Sequence, residues 1–367
     1  MKELAKKWVP ELVAYEPGKP LEDVARELGL KLGDIFKMAS NENALGPSPL
    51  AIESMRRAAS EMHIYPDGGA FALRRALADK LEVAADQIVL GNGSNELIVF
   101  LSHIFLAPGL NIVMSDKAFV IYKLAAALYR ADSIIVPMKN GYTHDLEAML
   151  AAITPATQLV YVGNPNNPTG TMVDPAEIES FMARVPDHVV VVFDEAYIEL
   201  IEHDERPDTI RYVREGRNVF VLRSFSKGYG LAGLRLGYAV APRDGTSLIN
   251  HVRQPFNVNA MAQSAALAAL SDEEHLRSTR RMVRAGLKQI ADGLREIGVD
   301  FVDSKVNFLL VGSGRGREVF QALQKKGVIV RPMDGYGMPE MIRVTVGTAE
   351  QNERFIRSLR HILDERR

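Results

Sequence analysis

Five short apolar runs, each ending in a polar or glycine-rich loop, pattern the first two thirds of the chain. Ile88-Val89-Leu90 leads into Gly91-Asn92-Gly93-Ser94, and Ile112-Val113-Met114 into Ser115-Asp116-Lys117-Ala118-Phe119. Leu159 to Val162 precedes Gly163-Asn164-Pro165-Asn166-Asn167-Pro168-Thr169-Gly170, and Val189 to Phe193 precedes Asp194-Glu195-Ala196-Tyr197. Val219 to Leu222 precedes a loop that begins at Ser224. Apolar runs without alternation suit strands covered on both faces, as in a mostly parallel sheet. Helical stretches lie between them. Asp174-Pro175-Ala176-Glu177 reads as a helix start, with a cap residue, proline at the first position and a carboxylate at the third. Strand and helix in alternation predict an α/β architecture, and such sheets bind ligands beyond the carboxyl ends of their strands.

The last third changes character. Ala262 to Leu270 and Glu273 to Ile297 read as helices. Asn307 to Val311, Val328 to Val330 and Met341 to Val346 read as short strands. Thr348-Ala349-Glu350-Gln351 has the capping-box pattern, and the helix after it places Phe355, Ile356, Leu359, Ile362 and Leu363 on one face. A smaller α+β domain is expected here, with the opening residues packed against it. The expected division is 1–45 for the N-terminal arm and part of the small domain, 46–265 for the large domain, and 266–367 for the rest of the small domain.

Composition narrows the chemistry. The 367 residues are 47% hydrophobic and 25% charged, as in soluble globular proteins, with a net charge of -2 that gives nucleic acid or an anionic membrane no basic stripe. The absence of cysteine excludes disulfides, thiolate metal sites and thiol nucleophiles. The eight histidines form no HExxH and no close pair, so no metal site is expected. The N-terminus lacks the apolar core of a signal peptide and no run approaches membrane-spanning length, so a cytoplasmic location is expected.

The candidate chemistry sits at the strand ends. Ser224-Phe225-Ser226-Lys227-Gly228-Tyr229-Gly230, followed by Arg235, places an amine beside hydroxyls and a guanidinium. Pyridoxal phosphate asks for that set: an amine for its aldehyde, and donors for its phosphate. Read alone, Lys227 is an ordinary solvated lysine. The loop from Gly91 to Glu96, ahead of an apolar helix pattern, suits an anion at a helix start but lacks the third glycine of the dinucleotide fingerprint. Asp194, after a buried strand, needs a partner; a helix cap, a salt bridge or a pyridinium nitrogen would each serve. Tyr197 follows three residues on. Asn164 and Asn167 occupy a proline-bounded turn, and Phe119 is either core or a platform for a ring.

Taken together, these segments resemble the fold-type I pyridoxal phosphate aminotransferases, and within them the histidinol-phosphate aminotransferases. The resemblance extends over Tyr15 to Pro20, Ser40 to Asn43, Tyr65 to Gly68, Gly91 to Glu96, Asn164 to Gly170, Asp194 to Tyr197 and Ser224 to Arg235. It continues through Arg253 to Asn259, Val330 to Pro332 and Ile342 to Gly347. It implies a large three-layer α/β/α domain with a mostly parallel sheet, plus a smaller α+β domain. It implies that Lys227 carries pyridoxal phosphate, that Asp194 pairs with the ring nitrogen, and that Asn167 and Tyr197 bind the ring oxygen. Phe119 would stack on the ring. Ser94, Asn95, Ser224, Ser226 and Arg235 would hold the phosphate, with Tyr65 reaching the phosphate of a second subunit in a homodimer. Tyr15, Asn167, Arg331 and Arg343 would line the substrate pocket. Ala44 stands where the family usually has proline, and Lys117 where its members often have histidine.

The implied reaction is transamination between histidinol phosphate and 2-oxoglutarate, giving imidazole acetol phosphate and glutamate. Lys227 would act as the proton-moving base and acid. An aromatic or specialised aminotransferase and a decarboxylase of the same fold are the alternative readings. A transcription regulator with an aminotransferase-like sensor would need a DNA-binding domain ahead of it, and the resemblance begins by Tyr15.

Overall fold

The computed structural model of the chain describes residues 1–12, 19–139 and 142–365. Tyr15 lies outside them. Strand β1 (Phe36–Lys37) comes first and belongs to the N-terminal arm. The large sheet follows with β2 (Ile88–Gly91), β3 (Asn111–Ser115), β4 (Asp132–Val136), β5 (Thr157–Gly163), β6 (Val190–Asp194), β7 (Val219–Ser224) and β8 (Gly237–Val240). Its order is β2-β8-β7-β6-β5-β3-β4, and only β8 runs against its neighbours.

The five apolar runs are five of these strands. Successive side chains in them enter different cores. Val113, Val160, Val191 and Val221 join one core with helices Phe71–Leu81, Pro175–Met182 and Ala260–Ser271. Ile112, Leu159, Val192 and Leu222 join the other, with helices Ser94–Phe105, Ile121–Leu128 and Arg243–Val252. Both faces of the sheet are covered, which is why the runs do not alternate.

Two strands of this large sheet escape the sequence reading. β4 is the sheet edge and its Asp132-Ser133 start is polar and partly exposed, so no continuous apolar run marks it. β8 has only four residues behind a glycine-rich loop. Asp174 caps its helix as expected, accepting from Ala176 N at 2.8 Å.

The remaining strands are β9 (Phe301–Val302), β10 (Phe308–Gly312), β11 (Val328–Ile329), β12 (Arg331–Pro332) and β13 (Met341–Thr345). Four of them form a second sheet in the order β12-β13-β10-β9. Helices Glu273–Glu296, Gly316–Lys325 and Ala349–Asp364 cover it and share its core of Ile290, Leu309, Val344, Phe355 and Leu359. The capping box forms: Gln351 N donates to Thr348 Oγ1 and Thr348 N to Gln351 Oε1. β1 pairs in parallel with β11, which ties the arm to this smaller body. Among the described residues, no helix is long and apolar enough to cross a membrane.

Candidate active site

The carboxyl ends of β2, β3, β5, β6 and β7 open on one cavity of about 510 Å³. Because β8 is antiparallel, its start lies at the same edge and brings in Arg235. Arg331 and Arg343 from the second sheet, and Ala39 to Glu42 from the arm, line the opposite wall.

Asp194 ends β6 and is buried. Its Oδ2 accepts from the Tyr122 hydroxyl at 2.8 Å and its Oδ1 from Ala196 N at 3.2 Å. Burial pushes its pKa up to about 6, while those two donors pull it down. Tyr122 in turn stacks on Tyr161, with ring centroids 4.4 Å apart, and meets Phe119 edge-on at 5.8 Å. The platform and the carboxylate are therefore braced by one side chain.

Lys227 stands half-buried at the wall, its Nζ donating to the Ser40 carbonyl at 3.2 Å and lying 5.6 Å from the centre of the Tyr197 ring. Desolvation, helped by the Arg343 charge and opposed by Glu42, lowers its pKa to about 8. A neutral amine, the nucleophilic form, is thus accessible far below the usual lysine range. The Tyr197 hydroxyl accepts from Asn41 Nδ2 at 2.9 Å, and burial raises its pKa to about 12, so it stays protonated.

Ser94, Asn95, Ser224, Ser226 and Arg235 gather at one end of the cavity, where helix Ser94–Phe105 begins. Gly93 enters that helix at φ +79, and a Cβ there would stand 2.6 Å from Arg235 Nη2. Only glycine lets the guanidinium lie against this turn. Hydroxyls, a guanidinium and a helix N-terminus together make an anion cradle.

At the other end, Arg343 is buried, with Nη1 donating to Asn167 Oδ1 at 2.5 Å and Nη2 to the Ala39 carbonyl at 2.8 Å. Its guanidinium carbon lies 5.3 Å from the centre of the Phe308 ring. Arg331 is its direct cross-strand neighbour, which concentrates positive charge on this wall. Asn167, Phe119, Tyr197 and Lys227 also line the cavity.

Tyr65 is 80% exposed and stacks on Phe256 at 4.9 Å, away from this chain's own cavity. Asn164 serves the backbone, its Oδ1 accepting from Val173 N at 2.9 Å. Sequence reasoning missed Tyr122, whose signal was its place one helical turn after Phe119. It assigned no role to Ser40 or Asn41, although both lie in a segment that carries the family resemblance.

The family model "Aminotransferase class I and II" matches residues 33–359. The histidinol-phosphate aminotransferase of Akkermansia muciniphila is 51% identical over 359 residues, 98% of each chain. The chain belongs to the histidinol-phosphate aminotransferases of aminotransferase class I and II. Histidinol-phosphate aminotransferase 2 of Pseudomonas aeruginosa is 47% identical, again over 98% of each chain. A crystal structure of histidinol-phosphate aminotransferase from Sinorhizobium meliloti, in complex with pyridoxal-5'-phosphate, superposes with a TM-score of 0.87 at 25% identity and covers 96% of both chains.

The cofactor of aminotransferases fits the residues present. A buried carboxylate bonded, among the described residues, to one hydroxyl and one N–H has capacity for a cation such as a protonated ring nitrogen. The anion cradle suits a phosphate, and the cavity between them contains an amine.

Proposed function

We propose that this aminotransferase converts L-histidinol phosphate and 2-oxoglutarate to imidazole acetol phosphate and L-glutamate, a step of histidine biosynthesis. The observation that carries the substrate assignment is the 51% identity to a histidinol-phosphate aminotransferase across 98% of both chains.

When bound, pyridoxal phosphate supplies an electron sink for the substrate carbon that bears the amine. Ser94, Asn95, Ser224, Ser226 and Arg235 hold its phosphate, and Phe119 supports the ring face. Asp194 keeps the ring nitrogen protonated, while Asn167 and Tyr197 bind the ring oxygen. Lys227 would hold the cofactor through Nζ, and the same amine, when free, would serve as the base and acid that moves the substrate proton. The Lys227 pKa of about 8 suits a group that must both accept and give a proton near neutrality. Arg343 grips the anion of either substrate, and Arg331 lines the same pocket. A guanidinium fork accepts phosphate and carboxylate alike, so one residue serves both half-reactions.

The reading includes a homodimer in which Tyr65 reaches the partner's phosphate site. Exposed Met62, Ile64, Tyr65, Phe71 and Phe256 around that loop support it, since apolar side chains gathered on a surface favour a protein contact. We also propose that the arm up to about residue 45 belongs with the smaller body, which the pairing of β1 with β11 supports; the boundary expected at 265 falls inside helix Ala260–Ser271, which packs in the core of the large sheet.

An absorbance titration of the cofactor-loaded enzyme tests the substrate. Conversion of the cofactor band by L-histidinol phosphate, with L-phenylalanine much weaker, is expected. Conversion by phenylalanine alone would move the enzyme to aromatic transamination. Lys227→Ala is expected to lose turnover.

A further inference from the structure

Ala39-Ser40-Asn41 touches three cavity residues in succession. The Ala39 carbonyl accepts from Arg343, the Ser40 carbonyl from Lys227, and Asn41 Nδ2 donates to the Tyr197 hydroxyl. The first two contacts use backbone that any residue supplies. The third needs the Asn41 side chain.

Asn41 is buried at φ +54, a conformation asparagine tolerates better than most residues. Its N–H donates to Thr345 Oγ1 at 2.9 Å, and its carbonyl accepts from Asn307 Nδ2 at 3.1 Å. Thr345 has one hydroxyl hydrogen, and it goes to Asn41 Oδ1 at 3.1 Å. That contact orients the amide, with oxygen toward Thr345 and nitrogen toward Tyr197. An amide nitrogen only donates. The Tyr197 oxygen must therefore accept, and its own hydrogen is left for a partner in the cavity.

We propose that Asn41 is a positioning residue that holds the Tyr197 hydroxyl as a hydrogen-bond donor toward the ring oxygen of the bound cofactor. The proposal rests on the assignment of Tyr197 to that oxygen made above. Thr345 stands two residues after Arg343 on β13 and so shares its face. The same strand thereby carries both the anion-gripping guanidinium and the anchor of the amide. The charged and titratable groups near the hydroxyl are Arg343 from β13, Asp194 from β6, Tyr336 from the turn after β12, and Lys227 over the ring.

The test is the pH midpoint of the bound cofactor's absorbance change in the holoenzyme. A donor to an anionic oxygen lowers that oxygen's proton affinity, and losing the donor raises it. Asn41→Asp offers a carboxylate that takes the Tyr197 hydrogen for itself; Tyr197→Phe removes the hydrogen. Both are expected to move the midpoint upward by about one pH unit, and the double variant no further than Tyr197→Phe alone. An unmoved midpoint in Asn41→Asp beside a moved one in Tyr197→Phe overturns the proposal and leaves the role of Tyr197 standing. An extra shift in the double variant marks a plain charge effect and also overturns it. An unmoved midpoint in Tyr197→Phe removes the assignment on which the proposal rests. If Asn41→Asp does not fold, Asn41→Ala is read instead: an upward shift is expected, and an unchanged midpoint overturns the proposal.

Discussion

The hydroxyl of Tyr122 donates to Oδ2 of Asp194 across 2.8 Å, both residues being largely buried in the cavity lining. Tyr122→Phe removes a donor that favours the ionised carboxylate, so the Asp194 pKa should rise beyond its already elevated value. A neutral Asp194 no longer pairs with a ring cation. Cofactor affinity is expected to fall by roughly tenfold or more, the scale of one lost hydrogen bond to a charged group. Titrating cofactor-free protein with pyridoxal phosphate measures this, and unchanged affinity would show that the hydroxyl is dispensable to the carboxylate.

The cofactor-free protein should carry a pH signature from Lys227. Its folded-state pKa, about 8, lies below the ordinary 10.5. Between those values the unfolded chain binds more protons than the folded one, so this group's contribution to stability rises with pH. Asp194 has the opposite sign. Its folded pKa of about 6 lies above the ordinary 3.8, so its contribution falls as pH rises through that window. Thermal midpoints of the cofactor-free protein and Lys227→Met, compared from pH 7 to 10, should show the unsubstituted protein gaining relative to the variant above pH 8. A constant difference would place the Lys227 pKa at its ordinary value.

Arg343→Lys replaces a planar fork, held by Asn167 and the Ala39 carbonyl, with a point charge. kcat/KM should fall about tenfold or more for histidinol phosphate and for 2-oxoglutarate alike, mostly through KM. A loss confined to one substrate would sink the shared-anion role.

Tyr65 and Lys227 should complement each other across subunits. In the proposed homodimer, Tyr65→Ala and Lys227→Ala would each impair both sites, whereas a mixed dimer would carry both lesions in one site and leave the other intact. Co-expression in equal amounts is expected to recover about a quarter of the unsubstituted activity. Recovery no greater than the average of the two variants would place Tyr65 outside the partner's site.

The loops at the strand ends were legible because several constraints pointed the same way. Asp194 follows a run of valines that only a buried strand explains, and Lys227 follows another. The parallel sheet then carries both loops to one edge without further information. The anion cradle was legible for the same reason, since Gly93 and Ser94 sit where a strand gives way to a helix. β4 was not, because an edge strand has a solvent side and its polar start hides the run. Tyr122 was hidden among the apolar residues of its helix, and nothing local says that its hydroxyl meets Asp194 72 residues away.

What the sequence determined by itself is the alternation of covered strands and helices, the family, and which side chains stand at the strand ends. These follow from local apolar patterning and short motifs, which a single stretch of chain carries. Tertiary structure decided the rest. It placed Asn41 against Tyr197 and Thr345, Arg343 against Asn167, and Tyr122 under Asp194. Those pairings join residues 72 to 304 positions apart, and burial, which shifts Asp194 upward and Lys227 downward, exists only once the two sheets and the arm close around them.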